Sequence, residues 1–370
     1  MFSTRLVRFL GLAVLSLAVL APAARASVSL HKFSGTQQGS ALAASADQPS
    51  VALPAIPANA KYVSNTGSDS GPGTQSAPWR TLAKATSSAR PGDTVVFEPG
   101  TYGARGTRTN WTAAGRAGAP INFIGGPGTG VRPTILGYNV LYGSHVRVWN
   151  MFFDGPTGRV ESRTSTNRKG EEVMLWLTAP NVQINDSEVS GGLWHAGIYV
   201  TNGAGDKIQG DYIHDNGDQS NSVQHNEDHG IYWENGSGGV IYDNLIVDNL
   251  SHGIQLYPAA SRVSVSWNTI AGNGKSGVLL GDSASRNIVT NNIVAGNADN
   301  SIRSFRLTGA GNTVRNNIVW HNGSGNLGTS TSGLALAGNL QINPQFVGDG
   351  NYDLLPGSPA GGRAGCGASQ

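Results

Sequence analysis

The chain has 370 residues, a formal charge of +2 and a single cysteine, Cys366. One cysteine excludes an intramolecular disulfide and a cysteine-built zinc site, and so small a charge lacks the dense basic face that nucleic acid requires. The length leaves room for one elongated domain or two compact ones.

The first element is an export signal. Arg5 and Arg8 precede an apolar run over residues 9–20, and Ala24-Arg25-Ala26 has the small-x-small pattern of a cleavage site, so residues 1–26 are expected to be removed. The run falls short of the roughly 20 residues that a membrane span needs. A secreted protein with no membrane contact is expected. Residues 27–60, rich in Ala, Ser, Gln and Pro, read as a flexible linker. Next come Leu82, Ala85, Thr86 and Ala89 at helical spacing within residues 78–90, followed by Pro91-Gly92. This predicts a short amphipathic helix that closes the open end of the next element, with a first strand over Thr94–Phe97.

From there the chain repeats. The turn residues Asn249, Asn273 and Asn297 are 24 residues apart and Asn322 follows after 25, whereas Asn216 precedes Asn249 by 33 because residues 217–228 are inserted. Each repeat holds short β-rich pieces broken by Gly or Asn, with no stretch of helical period. One turn of chain per 24 residues stacks Ile198, Ile231, Ile254, Val278 and Ile302 inside, each roughly 4.8 Å above the last. The recurring Asn is expected in the left-handed conformation at a corner, with its amide bonded to its equal in the next coil. The fold class is therefore all-β, a single-stranded parallel β-helix over residues 61–365 with an N-terminal capping helix and a tail over residues 366–370.

Tyr62-Val63-Ser64, Gly67-Ser68-Asp69-Ser70-Gly71-Pro72-Gly73-Thr74, Pro78-Trp79-Arg80-Thr81-Leu82 and the stretch from Pro91-Gly92-Asp93 to Pro99-Gly100-Thr101-Tyr102 resemble the opening segment of the pectate-lyase-like β-helix superfamily. Asn343-Pro344-Gln345-Phe346 and Leu355-Pro356-Gly357-Ser358-Pro359 are similar to its closing segment. The resemblance implies a right-handed coil. It implies no single activity, because the superfamily holds polysaccharide lyases, glycoside hydrolases, esterases, epimerases and adhesins. No residue role is carried over from it.

The site is argued from chemistry. Between Asp186 and Asp248 lie 11 of the 23 acidic residues, opposed only by Lys207, together with His195, His214, His225 and His229, while His252 follows close behind. Repeat alignment stacks His229 on His252 and lines up His195, Asp228 and Lys275; Tyr199, Tyr232, Gln255 and Arg303 point outward beside them. Such a face suits a uronate lyase, in which a base removes the proton beside the carboxylate while a cation neutralises it. His229, His252 and Lys275 are candidate bases, and Asp228, Tyr232 and Glu227 complete the catalytic set. His195, Tyr199, Trp194, Trp233, Glu234, Gln255, Tyr257 and Arg303 are the expected substrate contacts.

Calcium held by Asp211, Asp215, Glu227 and Asp228 is a candidate neutraliser. The competing enzyme reading is a glycoside hydrolase that pairs carboxylates from Glu227, Asp228 and Glu234. The third reading is a non-catalytic polysaccharide-binding protein. The insertion at residues 217–228 and a basic stretch with Arg159, Arg163, Arg168 and Lys169 are expected to border the groove. The partner is a polysaccharide, and the protein is expected to act as a monomer.

Overall fold

The computed structural model describes residues 53–155, 174–193, 195–217, 227–327, 331–348 and 350–366. All lie in the compact unit Gln38–Gln370. Among them parallel strands form an 11-stranded and a 15-stranded sheet. The larger sheet bends, so each coil has three faces, as in Val240–Tyr242, Leu245–Val247 and Ile254–Leu256. The bend lies within Thr134–Leu141, which pairs with Phe152–Asp154 through residues 134–136 and with Leu175–Leu177 through residues 139–141. Gly137 sits between the two halves with φ 80, where a Cβ would come within 2.4 Å of Thr107 O. Only glycine serves there.

The predicted interior stack is present. Ile198, Ile231, Ile254, Val278 and Ile302 are partners in successive registers and fully buried. The helix is α1, Leu82–Ser88, and its Leu82 and Ala85 join the same apolar core as Val95 and Trp111. Thr81 caps it, accepting from Lys84 N at 3.1 Å, and Asp69 holds the cap by accepting from Thr81 N and Oγ1. Thr94–Phe97 is not the first strand: Lys61–Val63 precedes it and pairs with it in parallel. Cys366 is likewise no loose tail, being buried with its N–H on Thr269 Oγ1 at 3.2 Å. Among the described residues no helix is long and apolar enough to cross a membrane.

Asparagine ladders line three corners. In the predicted one, Asn216, Asn249, Asn273, Asn297 and Asn322 pass amide hydrogen bonds of 2.8–2.9 Å from coil to coil. A second runs through Asn244, Asn268, Asn292 and Asn317, and a third joins Asn287 to Asn312. The ladder asparagines themselves are not left-handed. The preceding residues Asp215, Asp248, Gly272, Gly296 and His321 carry the positive φ, reversing the chain outside the core while the amide stays inside.

Two ladder positions are acids. Asp211 Oδ1 accepts from Ser187 N at 2.7 Å and Asp206 Oδ1 accepts from Val182 N at 2.8 Å, as a ladder amide oxygen does. Each Oδ2 is buried without a hydrogen-bond partner, where asparagine would place a donor. Burial therefore favours the neutral acid, pushing Asp206 up to about 8 and Asp211 well above the carboxylate range. A raised folded-state value means that the contribution to stability is full below pH 3.8 and is lost as pH rises toward 8. Asp206→Asn is expected to gain about 5 kcal/mol over the parent protein at pH 8 but little at pH 4. Thermal melts at the two pH values measure this, and an equal gap at both would refute the protonated acid.

Candidate functional site

The outer row of the third face runs Trp176, Tyr199, Tyr232, Gln255, Leu279, Arg303, each in register with the next. At the corner before it, backbone hydrogen bonds stack Asp228, Ser251, Lys275 and Asp299, from Ser251 N to Asp228 O, Lys275 N to Ser251 O and Asp299 N to Lys275 O. Between these columns the His229 and His252 rings stack with centroids 5.3 Å apart and planes 16° apart. The repeat length thus brings together the residues that it was expected to bring together. Strand pairing of coils 23–33 residues long leaves no other neighbours.

Electrostatics divide the face. His229 and His252 are buried, and burial first, then the neighbouring imidazoles and Lys275 at His229 and Lys275 and Arg303 at His252, holds both below the usual histidine range, His252 at about 3. Lys275 is partly buried; burial lowers its ammonium, Arg303 lowers it further and Asp299 opposes them. Asp299 accepts from Arg303 Nη1 at 2.8 Å and from Ser276 Oγ at 3.0 Å. Despite the opposing effect of burial, its hydrogen bonds hold it at about 2. The result is an ionised Asp299 that fixes the Arg303 guanidinium beside the Lys275 coil.

Residues 177–341 match the family model described as the right handed beta helix region, and residues 65–109 match that of a protein of unknown function, DUF1565. The chain folds as a right-handed parallel β-helix. Among solved structures, pectate lyase Pel9A is 15% identical over 78% of each chain, with a TM-score of 0.60. A rhamnogalacturonan lyase is 13% identical over 78% of this chain and 90% of its own, with a TM-score of 0.36. The GH136 lacto-N-biosidase from Eubacterium ramulus is 11% identical over 76% of this chain and 67% of its own, with a TM-score of 0.39. The likeness to Pel9A is one of fold. No curated protein sequence matches the chain.

Within this β-helix several expected contacts fall elsewhere. Trp233 is fully buried, its indole filling the space beside Gly203 and Gly239, so it meets no substrate. Trp194 lies outside the described residues, as do most of the 217–228 insertion and the basic stretch with Arg159, Arg163, Arg168 and Lys169. The tryptophan on the outer row is Trp176, stacked on Tyr199 at 5.8 Å, which stacks on Tyr232 at 5.1 Å. His195 lies against Tyr199 at 5.3 Å. These faces are spent on one another, so the row presents edges and hydroxyls rather than open ring faces. Tyr199 Oη donates to Glu234 at 2.7 Å and Tyr232 is hydrogen-bonded to Gln255. Tyr257 lies past the far end of the strands, against Gly281 and bonded to Asp282.

The calcium ligands do not converge. Asp211 is a buried ladder member at one corner, and Asp215, bonded to His214 at 2.9 Å, sits at the next. Glu227 is exposed and Asp228 buried at the start of His229–Trp233. Among the described residues no three acidic, histidine or cysteine side chains form a metal shell. No step is derived through calcium. The hydrolase pairing with Glu234 fails similarly: Asp228 and Glu234 flank a five-residue strand, on the order of 20 Å apart along the chain, whereas paired-carboxylate catalysis spans about 5–10 Å. Asp299 follows Lys275 by one repeat of 24 residues, so its place in that column is legible from the spacing. Nothing in the repeat marks Trp176, because residues 156–173 break the register before it.

Proposed function

We propose that this β-helix is an exported, monomeric carbohydrate-active enzyme that cleaves a uronate-containing polysaccharide by β-elimination on its third face. The observation that carries the reading is the grouping of Lys275 on one coil with Asp299 and Arg303 on the next. Lys275, held below its usual range, supplies the neutral amine that takes the proton from the carbon beside the carboxylate. The electron pair left behind forms a double bond, the glycosidic oxygen departs with the electrons of its own bond and is protonated by water, and an unsaturated end results. Arg303 neutralises the carboxylate and the charge that develops on it. Export rests on the N-terminal pattern of Arg5, Arg8 and Ala24-Arg25-Ala26.

Incubation with pectic, alginate and glucuronate polymers is expected to raise ultraviolet absorbance from unsaturated ends, with the rate climbing with pH as Lys275 loses its proton. Reducing ends without absorbance would replace the lyase by a hydrolase built on Glu227 and Asp228. Binding without product would leave a polysaccharide-binding protein.

A further inference from the structure

The backbone settles which nitrogen of each stacked histidine carries the proton. His229 Nδ1 faces the backbone N–H of His252 at 3.3 Å, and His252 Nδ1 faces the backbone N–H of Ser276 at 3.1 Å. An amide does not give up its hydrogen, so each Nδ1 must be the acceptor with its lone pair in use, and the single proton of the neutral ring sits on Nε2. Both rings use the same nitrogen for the same contact and lie within 16° of parallel, so their Nε2–H bonds share a direction one coil apart.

The line of bonds continues outward. Ser276, whose N–H holds His252, gives its hydroxyl to Asp299, and Asp299 holds Arg303. The groups around His252 are Lys275, Arg303 and Asp299; those around His229 are His252, His195 and Lys275. Cations prevail in this set, and burial of both rings further opposes a second proton. For either ring to act as a base it would have to break its bond to the backbone first. Of the two residues His252 is the less deeply buried, 6% exposed against 1% for His229.

We propose that His252, steadied by the stacked His229, is a tautomer-locked N–H donor to an anionic oxygen of the sugar bound at Lys275 and Arg303, rather than a proton-transfer base. This rests on the third face being the substrate site. It assigns proton abstraction to Lys275 alone and makes His229 a positioning residue.

Long-range proton–nitrogen correlation on the ¹⁵N-labelled chain reads the tautomers directly. Both Nδ1 atoms are expected to be unprotonated and both Nε2 atoms protonated, unchanged between pH 8 and pH 5. Addition of oligogalacturonate or oligoalginate is expected to shift the His252 Nε2–H signal. His252→Gln, which keeps an N–H near the Nε2 position but no basicity, is expected to retain kcat/KM within about tenfold and an unchanged pH profile, while His252→Phe loses about 10²-fold. A ring that titrates near its ordinary value, an Nδ1–H tautomer, absence of the shift with both oligomers, or a Gln variant as inactive as the Phe variant overturns the inference. Failure of the lyase reading is a separate result, seen as missing ultraviolet absorbance while the ring nitrogens still report.

Discussion

Lys275→Met is expected to slow the formation of unsaturated ends by about 10²–10⁴-fold, the range that a positioned general base contributes, while the melting temperature stays nearly unchanged. Lys275 is partly buried at a corner, and its backbone N–H, which bonds to Ser251 O, survives the substitution. Met matches the length of the stem without the amine. Lys275→Arg separates the two roles that the side chain can have. A guanidinium keeps the positive charge beside Arg303 but does not deprotonate at working pH, so a base is lost in both variants while a merely charge-neutralising residue is restored by Arg. Initial rates across a pH series decide between them. In the parent protein activity follows the neutral amine upward with pH, from an inflection below the ordinary lysine range because burial and Arg303 outweigh Asp299. An Arg variant with parental rates would remove Lys275 from proton transfer.

Asn273→Ala is expected to cost about 5 kcal/mol. The side-chain oxygen of Asn273 accepts from Asn249 N at 3.2 Å and Asn249 Nδ2 at 2.9 Å. Its Nδ2 reaches Ile246 O at 3.1 Å, Ala271 O at 3.2 Å and Asn297 Oδ1 at 2.9 Å. Truncation leaves buried groups in two neighbouring coils without partners, and each such group costs about 1–3 kcal/mol. Some of that is regained where the coils close up, which keeps the total below the sum. Asn273 is fully buried, so water cannot substitute. Denaturant melts of the two proteins measure the difference, and a loss under about 1 kcal/mol would show that apolar stacking alone holds the coils together. Asn273→Asp is expected to fall between the two, keeping the acceptor and behaving like Asp206.

The winding of this protein was legible because a single number, the repeat length, fixes which residues become neighbours. Once Asn249, Asn273 and Asn297 are seen 24 residues apart, Ile231 must lie over Ile254 and His229 over His252. Asp211 shares a column with Asn244 and Asn268, which marks it as a ladder residue rather than a metal ligand. The alternation of Ile231, Tyr232 and Trp233 puts Trp233 inside with Ile231.

By itself the sequence determined the coil, its register, the corner amides and the convergence of imidazoles, Lys275 and Arg303 on one face, since all of these follow from periodicity. Only the tertiary structure decided the conformation and protonation of what converges. That the left-handed residue is Asp248 and not Asn249, that Asp299 clamps Arg303, and that His229 and His252 turn Nδ1 toward a backbone N–H are matters of torsion angle and hydrogen-bond direction, which spacing does not fix. Periodicity specifies which residues meet, while hydrogen-bond direction and burial specify what their contact can do.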